Sequence, residues 1–235
     1  ITNGVHVPTW LAQEWHEVFE RYLGFGWAHR LCDSEFWQGV SRIPDQLFWS
    51  VRQSLKAQML QLVRERMAQQ HFRNNGSEAH LDRLLKYADP RNPNVLTIGF
   101  ARRFATYKRA DLLFDNLEWL REIVSDAARP VVFIFAGKAH PADTPGQDLI
   151  RRVHNVARMP EFEGRLLLVE DYYMRLAGRM VSGCDVWLIN PIYPMEASGT
   201  SGMKAAINGG INLSVLDGWW AEAYAPEVGW ALGDG

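Results

Sequence analysis

Apolar positions along this chain change their period near residue 93. Upstream they recur at helical spacing. Leu11, Trp15, Val18, Phe19 and Leu23 form one stripe over residues 11–24, which stops at Gly24 and Gly26. Pro44 and Asp45 open a long helix. Its stripe runs Leu47, Val51, Leu55, Met59, Leu62, Val63 and Met67, opposite a basic, amide-rich face. A turn at Asn74-Asn75-Gly76 leads into a shorter helix over residues 78–87. No strand pattern interrupts this part, so residues 1–93 read as a helical lead-in segment.

Beyond Asp89-Pro90-Arg91-Asn92-Pro93, short apolar runs bounded by turn residues alternate with helical stretches. The runs are Val95–Phe100, Val131–Ala136, Leu166–Val169, Val186–Ile189 and Ile211–Val215, with a further strand-like run at Gly229–Leu232. Helices are predicted at 108–125, 144–158, 173–182 and 200–208. Continuous apolar strands separated by helices imply βαβ units and a parallel sheet covered on both faces. The expected fold is therefore α/β: a Rossmann-like parallel-sheet domain over residues 94–235, preceded by the helical segment. Such sheets bind ligands beyond the carboxyl ends of their strands, which directs attention to the residues after each run.

Composition narrows the class. The 235 residues suffice for one good core with an appendage, and the formal net charge of −2 comes without any basic stretch suited to nucleic acid. No apolar run is long enough to span a bilayer and no secretion leader is apparent, which points to the cytoplasm. Cys32 and Cys184 match no metal spacing, so both are expected to be reduced core thiols and no metal site is expected. Most of the ten tryptophans should anchor cores, although aromatic faces also stack on sugar rings. The chain opens on Ile1 within Thr2-Asn3-Gly4 and closes on Gly233-Asp234-Gly235, and it reads as a piece of a longer protein.

The chemistry gathers at the strand ends. After the first run comes Ala101-Arg102-Arg103-Phe104-Ala105-Thr106-Tyr107-Lys108-Arg109, and after the second Gly137-Lys138-Ala139-His140-Pro141. Glu170-Asp171-Tyr172 follows the third, and Asn190-Pro191 with Glu196–Lys204 the fourth. The last of these, Glu196-Ala197-Ser198-Gly199-Thr200-Ser201-Gly202-Met203-Lys204, sets small residues between a carboxylate and a lysine. Small side chains let a backbone approach a ligand, and the lysine can serve as a phosphate counter-charge or a Schiff-base amine. A single Lys or Arg is ordinarily a solvated surface charge. Cations recurring at successive strand ends instead suggest a phosphate site.

Other site types fail on spacing. Ala205 follows Lys204, so the turn is not a P-loop; Glu20 stands where a zinc helix beginning His16-Glu17 needs its second histidine; no Gly-x-Ser-x-Gly elbow occurs. Glu170, Asp171, Glu196 and Asp217 could suggest a hydrolytic carboxylate pair, but such a site does not need so many cations.

With these residues in view, the chain resembles the α-glucan (glycogen, starch, maltodextrin) phosphorylases, over nearly its whole length and at their C-terminal domain. The resemblance implies the C-terminal half of a GT-B glycosyltransferase fold and a bacterial or archaeal type. Glu196-Ala197-Ser198-Gly199-Thr200-x-x-Met203-Lys204 is similar to the family's cofactor-lysine signature, which makes Lys204 the covalent attachment point of pyridoxal 5′-phosphate. Thr200, Ser201 and Gly202 then line the cofactor; Ser201-Gly202 replaces the Gly-Asn of the animal enzymes. Arg102-Arg103-x4-Lys108-Arg109 resembles the family's basic segment. By that likeness Arg102 contacts the cofactor phosphate, while Arg103 and Lys108 hold the substrate phosphate. Tyr172 matches a tyrosine near the cofactor, and Tyr173 stands where the animal enzymes carry a cofactor-phosphate arginine. Asn3 matches an asparagine that bonds a hydroxyl of the bound glucosyl unit, and Glu196, Ala197, Ser198 and Gly199 match the turn that binds its other hydroxyls.

The implied activity is phosphorolysis of α-1,4-glucan ends by inorganic phosphate to give glucose 1-phosphate, in a homo-oligomeric cytoplasmic enzyme. The piece alone is expected to be inactive. Two other readings compete. A nucleotide-sugar glucosyltransferase of the glycogen-synthase type would carry a second glutamate about where Lys204 stands. A non-catalytic glucan-binding module would not need Lys204, Arg103 and Lys108.

Overall fold

The structure, a computed structural model, describes residues 3–233. Helices α1 (Val7–Trp10), α2 (Gln13–Leu23), α3 (Ser34–Trp37), α4 (Asp45–Arg73) and α5 (Glu78–Leu84) come first. Strands β1 (Leu96–Ala101), β2 (Val131–Ala136), β3 (Leu166–Val169), β4 (Val186–Ile189), β5 (Ile211–Val215) and β6 (Gly229–Leu232) follow. Between them lie α6 (Leu117–Ser125), α7 (Thr144–Ala157), α8 (Met174–Gly183), α9 (Thr200–Ala206) and α10 (Trp219–Ala223).

All six strands pair in parallel, in the order β3-β2-β1-β4-β5-β6. The order reverses between β1 and β4, and the connections leaving these two strands diverge there, which opens a crevice outside their carboxyl ends. Every residue of β2 and β4 is buried, as a sheet covered on both faces requires. One cover is α4 with α8: Met59, Leu60, Val63, Met67, Leu176 and Met180 pack on Val132, Ile134, Leu167, Trp187 and Ile189. The other is α6 with α7, whose Leu120, Val124, Val153 and Val156 meet Phe133, Phe135 and Leu188. The α2 stripe (Trp15, Val18) closes on Val51 and Leu55 in the first half of α4. Helix α4 thus belongs to both the lead-in and the sheet. Its approach to α8 is close enough that a Cβ on Gly183 would lie 2.4 Å from Met59 Cβ.

Helix starts follow local chemistry. Ser77, Asn116 and Asp143 accept backbone N–H bonds at the starts of α5, α6 and α7. The helix expected over 108–125 is a correction. Arg109 adopts φ 47°, two short 3-10 turns occupy Thr106–Lys108 and Leu112–Phe114, and the α-helix begins only after the Asn116 cap. Left-handed backbone at Arg109 ends any helical run, and its side chain is drawn to the Asn190 and Pro191 carbonyls at 2.8 Å each. Cys32 is also a correction: it is exposed, on the polar loop before α3, while Cys184 is buried and its thiol pKa is pushed up by that burial. Trp15, Trp27, Trp187 and Trp220 are buried, and Trp10 and Trp37 pack against the core clusters, so six of the ten tryptophans serve the cores as expected, whereas Trp49, Trp119 and Trp230 are exposed.

The basic face of α4 behaves unexpectedly. Arg52 and Lys56 are buried. Arg52 donates from Nη1 to the carbonyls of Ser182 (2.5 Å) and Asn208 (2.9 Å), and from Nη2 to that of Cys184 (2.6 Å). Lys56 Nζ donates to the carbonyls of Pro93 (2.9 Å) and Val95 (2.5 Å) and to Asp185 Oδ2 (2.6 Å). The same Asp185 oxygen accepts from the Thr97 N–H and hydroxyl. A Lys ammonium has three donors, and all three are matched here. Asp185→Ala leaves that ammonium buried without its anion, and we expect it to lower unfolding stability by about 3–5 kcal/mol in urea titration.

Candidate functional site

Because β1 and β4 are neighbours, the segments that leave their carboxyl ends meet. Arg102 follows β1, Lys108 ends the next 3-10 turn, and Glu196 comes off the loop after β4. Glu196 Oε2 accepts from Arg102 Nη2 at 2.6 Å, and both its oxygens accept from Lys108 Nζ, at 3.0 and 2.9 Å. All three side chains are 10% exposed or less. Burial lowers the Arg102 pKa, and the Glu196 charge opposes that drop, so the guanidinium stays cationic. One carboxylate therefore faces two cations. It does not satisfy them: Arg102 Nε and Nη1 are buried with no hydrogen-bond partner. Buried polar groups in folded proteins are nearly always paired, so two unpaired guanidinium nitrogens mark a place for a ligand's acceptors.

The Glu196 turn is held from β5. Asp217 Oδ2 accepts the Glu196 N–H at 2.9 Å, and Oδ1 accepts the Gly218 N–H at 2.8 Å. Gly218 has φ 55°, and a Cβ there would lie 2.5 Å from the Ser198 carbonyl oxygen. That oxygen accepts the Trp219 N–H at 2.8 Å. Gly199 takes φ 79° and precedes α9, which carries Thr200, Ser201, Gly202 and Lys204. The Ser201 hydroxyl lies 3.1 Å from the indole N–H of Trp187, so it is engaged by the core, while the Gly202 carbonyl accepts from Asn212 Nδ2. Ser198 Oγ is buried and unpartnered. Ala197 is exposed and Thr200 half-buried.

Lys204 Nζ lies 3.8 Å from the centroid of the Trp10 ring, a cation–π contact supplied by α1. Asn208 fixes the approach: its Nδ2 donates to the carbonyls of Trp10 and Lys204, and its Oδ1 accepts the Ala12 N–H. Partial burial lowers the Lys204 pKa. A larger neutral fraction near pH 7 is what a carbonyl-binding amine needs.

The remaining expected residues divide. Tyr172 is half-buried, its hydroxyl 3.5 Å from the Ala101 carbonyl, and burial raises its pKa against the pull of Arg102. Burial would likewise raise Tyr107, but its hydrogen bonds with Lys108 and Arg103 outweigh it and leave the hydroxyl pKa lowered. Arg103 is thereby placed beside the Arg102–Lys108 pair with its side chain exposed. Lys138 points to solvent and only its carbonyl is used, accepting the Phe104 N–H. Tyr173 accepts from Arg66 Nη2 at 2.5 Å, and that guanidinium also sits 4.8 Å from the ring centroid. Asn3 is exposed in the segment before α1, and Thr2 lies outside the described residues.

The four carboxylates of the hydrolytic reading are not brought together. Glu170 pairs with Arg73 and Asp171 with Arg66, whereas Asp217 touches Glu196 only through its backbone. Among the described residues no cluster of His, Cys, Asp and Glu could hold a metal, and no helix is long and apolar enough to cross a membrane. Trp10 and Arg66 went unread because nothing in their local sequence ties them to the site. Asp217 follows β5 closely, and the strand-end rule could have found it.

This edge, on this strand order, defines a Rossmann-type α/β domain with a candidate ligand site at its switch point. The chain belongs to the carbohydrate phosphorylase family, which it matches over residues 1–229. It is 46% identical to a maltodextrin phosphorylase of Thermococcus litoralis, over 100% of this chain and 27% of that protein. Identity is 44% to a glycogen phosphorylase of Aquifex aeolicus (100% and 33%) and 40% to one of Mycobacterium tuberculosis (99% and 26%). The chain thus spans about a quarter to a third of the length of these relatives.

The Lys204 environment gives a measurable pH signature. Desolvation penalises the ammonium, so Lys204 should titrate below the ordinary lysine range. NMR of reductively 13C-methylated protein reads its midpoint. A Lys204 midpoint within or above the ordinary lysine range would contradict the geometry.

Proposed function

We propose that the complete protein is an α-glucan phosphorylase of GT-B architecture, with this chain as its cofactor- and phosphate-binding portion. The observation that carries the reading is the buried Arg102 guanidinium with two unpaired nitrogens beside Lys108. Two phosphates close together repel, and fixed cations in a site of low dielectric offset that repulsion.

Pyridoxal 5′-phosphate fits the residues present. Lys204 supplies a partly desolvated amine and Arg102 supplies free donors for a phosphate, while Tyr172, Thr200, Ser201 and Gly202 are assigned to the cofactor by the family likeness. When bound, the cofactor supplies a phosphate for proton exchange with the substrate phosphate. The chain's own residues do the rest. Arg103 offers planar, bidentate contacts to inorganic phosphate and Lys108 a point charge. Glu196 to Gly199, together with Asn3, orient the glucosyl unit, and the return is in alignment of the reacting atoms. Ser198 Oγ is a free, buried group for a sugar hydroxyl. The maltodextrin and glycogen phosphorylases to which the chain is similar support an α-1,4-glucan substrate. The same likeness supports a homo-oligomer working in the cytoplasm.

Two measurements test the reading. Borohydride reduction of the complete protein with its cofactor, followed by peptide mapping, should find the pyridoxyl group on Lys204; a label on Lys138, or on no lysine, overturns the assignment. Lys108→Met should lower kcat for phosphorolysis roughly 10²–10³-fold, as loss of one preorganised charge-stabilising group does. The 235-residue chain alone should release no glucose 1-phosphate, because the reading assigns the holding of glucan to the remainder of the protein.

A further inference from the structure

We infer that the Glu196 carboxylate is the resident counter-ion of the phosphate site, so that a phosphate group gains Arg102 and Lys108 only by displacing it, and the displacement frees Glu196 for the sugar. The inference rests on the function proposed above for its sugar half.

The geometry sets the competition. Glu196 occupies Arg102 Nη2 and Lys108 Nζ with bonds of 2.6 to 3.0 Å in a buried setting. Without an anion the two cations would be buried unpaired, so the site stays intact only because the protein supplies its own. Against the two buried cations, Arg102 and Lys108, a phosphate dianion beside the carboxylate would set three negative charges, and the Arg103 guanidinium, exposed to solvent, is screened and offsets this only weakly. Exchanging the carboxylate for the phosphate leaves the two cations balanced.

The exchange also improves hydrogen bonding. The carboxylate leaves Arg102 Nε and Nη1 empty, and a phosphate group has more acceptor oxygens to offer them. The motion required is small. Asp217 holds the Glu196 N–H and Gly218 lies under the turn, so the backbone stays while the side chain rotates. Met195 and Ala197, on either side, are exposed, which leaves the turn open to a ligand. Since one carboxylate cannot serve the cations and the sugar together, phosphate and sugar affinities are linked, each raising the other.

The complete protein, freed of cofactor, tests this by calorimetric titration. The probes are inorganic phosphate and, separately, pyridoxine 5′-phosphate, which lacks the aldehyde and cannot react with Lys204. Glu196→Gln keeps the size and polarity of the side chain and removes the competing charge. We expect at least one phosphate to bind the variant roughly tenfold more tightly than the wild type, and the one that does identifies which phosphate Glu196 opposes. Equal or weaker binding of both overturns the exchange while leaving the phosphate site standing. Failure of both probes with both proteins overturns the site as well. A titration of the wild type alone guards against a variant that does not fold. Saturating the wild type with the phosphate so identified should tighten glucose binding several-fold, and unchanged or weaker glucose binding overturns the linkage.

Discussion

Everything in this chain hangs on two cations that helix α4 drives into the floor of the sheet. Arg52 binds the carbonyls of Ser182, Cys184 and Asn208; Lys56 binds Pro93, Val95 and Asp185. These partners lie at the end of α8, at the entrance to β4, after α9 and just before β1. A parallel sheet must have both faces covered, and these bonds fix which cover lies where. They also give the orphan carbonyls at the end of α8 a partner, which a buried helix end requires. From Asn208 the network continues through the Trp10 and Ala12 backbone to the ring beneath Lys204. The candidate cofactor lysine is thus tied to the same helix that fixes the sheet.

The opposite edge carries buried cations with a different logic. At the floor, every Lys56 donor has an acceptor. At the carboxyl ends of the strands, Arg102 and Lys108 share one carboxylate and Arg102 retains two unpaired nitrogens. Complete pairing makes a structural site; incomplete pairing at a switch point marks a candidate ligand site. Charge burial alone would not separate the two, since Arg52, Lys56, Arg102 and Lys108 are all buried.

The sequence exposes what depends on period and misses what depends on distance. Alternating short apolar runs and helical stripes place all six strands within a residue of their observed limits, because buried parallel strands need continuous apolar residues. The strand-end rule finds Arg102, Lys108 and the Glu196 turn for the same reason. By contrast, Arg52 and Lys56 read only as part of a basic, amide-rich face, because their acceptors lie 37 or more residues away and leave no local pattern. Arg103 and Lys138 carry the right charge at the right strand ends, yet both side chains are exposed. The break at Arg109 is set by its contacts with Asn190 and Pro191, which its own neighbours do not encode.

Helix α4 also connects the two edges. From Lys56 to Arg66 is ten residues, or about 15 Å of helix, comparable with the length of a short strand. Lys56 therefore stands at the floor, while Arg66 reaches Asp171 and Tyr173 after β3, and Gln70 bonds the Leu168 carbonyl and the Glu170 N–H. The guanidinium beside Tyr173 is delivered by the helix and not by the loop. A guanidinium on a loop is positioned by the loop. One on α4 is positioned by Lys56 and Arg52 at the far end, so the charge of the ligand edge and the stability of the floor are set by a single rigid element.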